Sequence, residues 1–315
     1  MTVTIKEVEE AAHRIADAVR RTPLTCVMIG AARVAIKWEN RQEGGSFKLR
    51  GASNRLLALP PEKREAGVVA FSSGNHARGV AIAARRLGMK ATIVMPEDAP
   101  RVKLDATRAE GAEVILYDRM NESREEIAER IAAERGAVLV PSFDDPYIMA
   151  GQGSVGLEIR DQLAEMGLAD PGQIFVPCGG GGLSGGIALA CPDATIVCVE
   201  PQGWNDMARS LEAGEPRSVP VDPPPTLCDA IQTFRPARLT VETLVAAGAQ
   251  SAEVSEEEVK TAIRHAWIQW GETVEPGGAA GLAAALSGRH GLRDGDVIVV
   301  SGGNVDPGLH RDITA

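Results

Sequence analysis

The sequence predicts an α/β protein whose sheets are mostly parallel, twisted and flanked by helices. Strand-length apolar runs alternate with helix-length amphipathic runs through most of the 315 residues. That alternation implies crossover connections, and therefore parallel strands. Three strand-to-helix joints are rich in glycine, serine and asparagine, and parallel sheets place ligands at the carboxyl ends of their strands. The length admits two domains, or one large one, with ample core.

Val8, Ala11, Ala12, Ile15, Ala18 and Val19 recur at helical spacing, so a helix is expected over residues 5–20, stopped by Thr22-Pro23. A short strand follows at 34–38. The alternation then runs strand 67–71, helix 75–87, strand 91–95, helix 101–111, strand 113–117, helix 122–135 and strand 137–140. It resumes with a helix over 148–166, a strand at 173–176, a glycine-rich turn, a helix, and a strand at 195–199. Residues 214–225, with Pro220, Pro223, Pro224 and Pro225, read as an irregular loop. Ser255-Glu-Glu-Glu opens a helix over 255–270 as a capping box. A small-residue helix over 277–286 and a strand at 296–300 complete the chain, which has no internal repeat and no low-complexity tail.

A formal net charge of −10 with 44% hydrophobic residues argues against nucleic acid or an anionic membrane as partner. No apolar run approaches membrane-spanning length, and the opening Met1-Thr-Val-Thr-Ile-Lys-Glu7 lacks the basic, then apolar, start of a secretion signal. A cytoplasmic location is expected. The cysteines Cys26, Cys178, Cys191, Cys198 and Cys228 are odd in number and scattered, which points to free thiols rather than a disulfide framework or zinc site.

The run Glu43-Gly-Gly-Ser-Phe-Lys-Leu-Arg-Gly-Ala52 sets Lys48 beside an aromatic ring among small residues. Only seven lysines accompany twenty-six arginines, so a lysine in an apolar setting is notable. A desolvated amine can lose its proton and condense with a carbonyl, which a guanidinium cannot do. The alternative is a surface lysine after a turn.

The three joints differ in chemistry. Phe71-Ser-Ser-Gly-Asn-His76 offers hydroxyls, an amide and backbone N–H groups at a helix start, which suits a carboxylate or simply caps the helix. Pro177-Cys-Gly-Gly-Gly-Gly-Leu-Ser-Gly-Gly186 lets the backbone wrap a phosphate. Gly180, Gly182 and Gly185 also satisfy Gly-x-Gly-x-x-Gly, with Glu200 closing the next strand, so an NAD(P)-binding oxidoreductase is a rival. That motif normally opens its domain, whereas here it falls past the midpoint. Val300-Ser-Gly-Gly-Asn-Val305 is the third joint.

Ser46-Phe-Lys-Leu-Arg-Gly-Ala52, Ser72-Ser-Gly-Asn-His76, the tetraglycine turn and Ser301-Gly-Gly-Asn304, in that order, resemble the serine/threonine dehydratase and serine racemase family of pyridoxal-phosphate enzymes. Val199-Glu-Pro201, Ala150-Gly-Gln-Gly153 and Val274-Glu-Pro276 extend the likeness over essentially the whole length. The resemblance implies fold type II, similar to the tryptophan synthase β chain. It also implies a large domain of residues 1–60 and 145–315 and a small mobile domain of 61–144 that closes the site.

On this resemblance, Lys48 would hold pyridoxal 5'-phosphate and act as the base that removes the substrate's α-proton. Phe47 would lie against the cofactor ring, Gly179, Gly180, Gly181 and Gly182 would bind its phosphate, Asn75 its 3-hydroxyl and Ser301 its ring nitrogen. A serine cannot charge that nitrogen as a carboxylate would, which favours expulsion of a β-substituent over transamination. Ser72, Ser73, Gly74 and Asn75, with His76, would hold the substrate α-carboxylate. Ser73 would face the α-carbon opposite the lysine, so racemisation in the same site is the alternative to elimination.

Glu200 and Asp206, with the Trp204 carbonyl between them, resemble the divalent site of the metal-activated branch and would take Mg2+ or Ca2+; the alternative is two solvated carboxylates. Trp204 stands where a small residue is expected. Arg124 resembles the arginine that meets a second substrate carboxylate, and Arg78 stands where glutamine is expected; both would favour 3-hydroxyaspartate. Arg124 otherwise pairs with the neighbouring Glu122, Glu125 and Glu126. Phe143-Asp-Asp-Pro146 is more similar to the threonine dehydratase version of its loop. The expected reaction is dehydration of a β-hydroxy amino acid (serine, threonine or 3-hydroxyaspartate) to a 2-oxo acid and ammonia. A homodimer is expected, and no appended regulatory domain.

Overall fold

The computed structural model describes residues 3–72, 74–99, 101–118 and 120–315. In chain order the elements are α1 (Ile5–Ile15), β1 (Leu24–Ile29), β2 (Ala32–Trp38), α2 (Lys48–Leu57), α3 (Pro61–Glu65), β3 (Val68–Phe71), α4 (Asn75–Arg86), β4 (Ala91–Pro96), α5 (Arg101–Ala109), β5 (Glu113–Tyr117), α6 (Arg124–Arg135) and β6 (Val138–Leu139). There follow α7 (Pro146–Glu165), β7 (Gln173–Pro177), α8 (Gly182–Ala190), β8 (Thr195–Pro201), α9 (Asp206–Ala213), α10 (Arg238–Ala246), β9 (Gln250–Val254), α11 (Glu256–Trp270), α12 (Pro276–Leu286), β10 (Val297–Val300) and α13 (Pro307–Thr314).

The strands form a six-stranded sheet, ordered β1-β2-β10-β7-β8-β9, and a four-stranded sheet, ordered β5-β4-β3-β6. Every pairing is parallel except β1 with β2. The central strands β4 and β10 are buried at every residue, as expected of strands covered on both faces. β3, β7 and β10 each end in one of the three polar joints, so the fold itself gathers these turns. Among the described residues no helix is long and apolar enough to cross a membrane, and all five cysteines are free.

Most expected elements lie where the periodicity put them. The first helix is shorter: α1 stops at Ile15, and a turn over residues 16–19 brings the chain to β1. β1 and β9 were not anticipated. Both are edge strands of the large sheet; β9, Gln-Ser-Ala-Glu-Val, carries no apolar run, whereas β1 carries a short one, Cys26-Val-Met-Ile29, with Met28 at 61% exposure. α9, α10 and α13, each of eight or nine residues, were likewise unforeseen.

Two features set the position of α2. A Cβ on Gly151 of α7 would lie 2.7 Å from the Gly51 Cα, and one on Gly186 of α8 would lie 2.5 Å from the Gly153 nitrogen. Glycine therefore lets the three helix backbones approach closely. Beside this contact, fully buried Arg50 donates to Glu39 at 2.8 Å and to Glu158 at 2.7 Å, and Lys37 donates to Glu158 at 2.6 Å and to the Thr22 carbonyl at 2.8 Å. Breaking one partner of such a cluster strands a buried charge, so it locks the start of α2 to β2 and α7.

Candidate active site

The three joints open on a single cavity of about 650 Å³. Its lining includes Phe47, Lys48, Ser72, Gly74, Asn75, His76, Arg124, Gly179, Gly180, Gly181, Gly182 and Ser301. Of the residues the sequence singled out, Ser73 lies outside the described residues, and Glu200, Trp204 and Asp206 stand away from the cavity wall.

Lys48 is the first residue of α2. The preceding Phe47 amide donates to the Ser301 carbonyl at 3.2 Å, which ties the lysine to the end of β10. Its Nζ donates to the Ser142 carbonyl at 3.0 Å and sits 5.2 Å from the Phe47 ring centroid. Burial lowers the ammonium to about 8, against an opposing pull from the Glu275 carboxylate. An amine so placed is partly neutral near physiological pH and can act as nucleophile or base.

Glu275 was not anticipated as a site residue. It lines the cavity at 2% exposure and accepts a hydrogen bond from Asn75 Nδ2 at 2.5 Å. Burial raises its carboxyl to about 7. Its only sequence signal was the Val274-Glu-Pro276 match, which carried no role.

At the start of α4, Ser72 Oγ accepts from the Gly74 amide at 3.2 Å. Asn75 heads the helix, whose first-turn amides have no partner within the helix and face the cavity with a partial positive charge. His76 Nε2 lies 2.9 Å from the Val140 carbonyl and so carries the proton. Burial, then the Lys48 charge, lowers this imidazole to about 3, so it is neutral and its buried Nδ1 is without a partner.

The glycine loop turns through Gly181 at φ +85° and enters α8 at Gly182. A Cβ on Gly180 would be driven into the Phe143 ring. Thr240 Oγ1 donates to the Gly180 carbonyl at 2.7 Å and holds the loop in place. Ser184, in the first turn of α8, presents a buried Oγ with no hydrogen-bond partner to the same cavity. Free helix amides, a cradle too narrow for side chains and an orphan hydroxyl together fit a phosphate. Ser184 sat inside the motif unremarked, because the glycines alone accounted for it.

The dinucleotide reading of this loop does not survive. It needs Glu200 on a ribose, yet Glu200 is fully buried and its two oxygens accept from the Met207 and Ala208 amides at 2.8 and 2.9 Å. Glu200 thereby caps α9. Asp206 is also fully buried, and neither of its carboxylate oxygens has a partner. Burial raises Asp206 to about 8 and pushes Glu200 well above its ordinary value. A buried carboxylate without a partner, Asp206, beside the buried Glu200 fits a hard cation, although no cluster of three or more His, Cys, Asp or Glu side chains gathers among the described residues. Trp204 is buried, with its indole Nε1 donating to the Pro224 carbonyl at 2.7 Å.

Arg124 reaches the cavity and also pairs with a glutamate of its own helix. Its guanidinium lies over the Phe71 ring at 5.4 Å and lines the cavity, while Nε donates to Glu125 at 2.8 Å. Arg78 is not among the cavity-lining residues. It donates from Nη1 to Asn304 Oδ1 at 3.1 Å and approaches Glu110 at 3.9 Å.

The chain matches the model of the pyridoxal-phosphate dependent enzymes over residues 15–302. It belongs to that family. It is 42% identical over 309 residues to an L-threo-3-hydroxyaspartate ammonia-lyase of Pseudomonas sp., covering 95% of both chains. It is 38% identical over 312 residues to an L-threonine ammonia-lyase of Thermotoga maritima, covering 96% of this chain and 76% of that one. Maize serine racemase superposes with a TM-score of 0.91 at 36% identity, over 99% of this chain and 97% of its own.

Proposed function

We propose that this chain is an ammonia-lyase that removes water from a β-hydroxy amino acid, with L-threonine, L-serine and 3-hydroxyaspartate as the candidate substrates. The observation that carries this reading is the convergence of Lys48, the glycine loop and the α4 amides on one cavity. Pyridoxal phosphate, when bound, supplies an electron sink for the pair left by a departing proton. Its phosphate is assigned to Gly179, Gly180, Gly181, Gly182 and Ser184, its ring to Phe47, its 3-hydroxyl to Asn75 and its nitrogen to Ser301.

The protein's own groups do the rest. Ser72, Gly74 and Asn75 orient the substrate α-carboxylate, with His76 behind them as a neutral hydrogen-bonding group. Lys48 Nζ takes the α-proton, and its lowered basicity leaves a useful neutral fraction near pH 7 to 8. The β-hydroxyl takes up the proton that Lys48 removed and leaves as water, and the released enamine tautomerises to an imine that a water molecule hydrolyses to a 2-oxo acid and ammonia. Arg124, which lines the cavity while paired with Glu125, would meet a substrate side chain only at the cavity rim. Residues 61–144 act as the moving lobe, Glu200, Asp206 and the Trp204 carbonyl hold Mg2+ or Ca2+, and the working form is a cytoplasmic homodimer.

Ammonia and 2-oxo acid release from stereoisomers of serine, threonine and 3-hydroxyaspartate, with and without chelator, tests the reading. Stoichiometric release from at least one is expected; none from any would refute it. Chiral analysis of residual substrate tests the racemase alternative, which rests on Ser73 and on likeness to a serine racemase.

A further inference from the structure

We propose that Lys103 selects substrates that carry a second carboxylate, and that Asp229 occupies its ammonium until such a substrate enters. The proposal rests on the lyase reading above and names the substrate class of that site.

Lys103 lies on α5, between β4 and β5 of the small sheet. Its ammonium forms an ion pair with Asp229, on the short 3-10 turn Asp229–Ile231 that packs on α12. Both residues line the cavity. A Cβ built on Gly74 would come within 3.8 Å of Lys103 Nζ, so the ammonium stands beside the carboxylate cradle of residues 72–75. Its charge also reaches Glu275, whose carboxyl it pulls down. A four-carbon dicarboxylate seated by its α-carboxylate in that cradle carries its second carboxylate toward this ammonium.

The other cations at the cavity are worse placed. The Lys103 side chain is 14% exposed, whereas Arg124 is 41% exposed and held by Glu125. Arg235 is exposed. A charge shielded from water interacts more strongly and discriminates better. Asp229 is 44% exposed, and an ion pair with one partner in solvent is weak. Exchange of the Asp229 carboxylate for a substrate carboxylate therefore conserves the pairing at small cost.

The test compares L-threo-3-hydroxyaspartate with L-threonine in wild type, K103M, K103R and D229N. Calorimetric titration of the cofactor-loaded proteins with succinate and with butyrate runs alongside. K103M is expected to lower kcat/KM for hydroxyaspartate about 10- to 100-fold more than for threonine, chiefly through KM. K103R should restore part of that selectivity, and D229N should tighten succinate several-fold. An equal loss for both substrates would place Lys103 on the shared α-carboxylate, and no change would leave it a structural partner of Asp229; either overturns the proposal. Should wild type release ammonia from neither compound, the lyase reading fails, and the succinate preference with its loss in K103M still decides the role of Lys103.

Discussion

Asn304 Nδ2 donates to Asn75 Oδ1 at 2.7 Å, and this contact decides which way round the Asn75 amide sits. Arg78 can only donate, so the Asn304 oxygen faces it; the Gly44 carbonyl can only accept, so the Asn304 nitrogen faces that, at 2.7 Å. With its oxygen taken, Asn75 presents Nδ2 to Glu275 and to the cavity. Asn304→Ala releases the amide to rotate. Cofactor affinity is expected to fall about 5- to 20-fold for one lost orienting hydrogen bond, measured by absorbance titration, with Tm little changed.

Lys48 is costly to keep buried. In the unfolded chain it stays charged to about 10.5, whereas in the folded protein without cofactor it is neutral above about 8. The folded state binds fewer protons between these values, so this group makes stability rise with pH across that window. Glu275 acts in the other direction: raised to about 7, it makes stability fall as pH rises from 4.5 to 7. Lys48→Met in the cofactor-free protein should remove the alkaline slope. It should add on the order of 1–2 kcal/mol at pH 7, read from denaturant melts.

The Asp206 carboxylate has no partner in a fully buried site. Millimolar Mg2+ or Ca2+ is expected to raise Tm by a few degrees through binding to the native state alone. Asp206→Asn should abolish the shift. A Tm indifferent to both ions in wild type would remove the cation from Glu200 and Asp206.

Gly180 has no room for a methyl group against Phe143. Gly180→Ala is expected to weaken cofactor binding more than tenfold, since the loop must move from its phosphate geometry. Phe143→Ala added to it should recover part of the loss. Equal affinity for wild type and Gly180→Ala would show that the loop is not the phosphate site.

What was legible in the sequence was local. The tetraglycine turn, the Ser-Ser-Gly-Asn helix start and the lysine beside Phe47 each write their chemistry into adjacent residues, and the parallel alternation places the two turns at the carboxyl ends of strands, one in each sheet. Glu275 and Lys103 were missed because their roles arise from long-range placement, and Ser184 because the glycines around it already accounted for its motif. Lys103 meets Asp229 across 126 positions, and Asn75 meets Glu275 across 200. Arg78 misled for the same reason: one helical turn past Asn75, it turns to Glu110 and Asn304 rather than to the cavity. The edge strand β9 escaped because its half-exposed sequence, Gln-Ser-Ala-Glu-Val, lacks a continuous apolar run.

The central claim is that Lys48 is the amine that holds the cofactor. Borohydride reduction of the cofactor-loaded protein, followed by peptide mass mapping, tests it directly. The account predicts one pyridoxyl-phosphate adduct, on Lys48, and no adduct and no turnover in Lys48→Ala. An adduct on Lys37 or Lys103, or native turnover without Lys48, would contradict it.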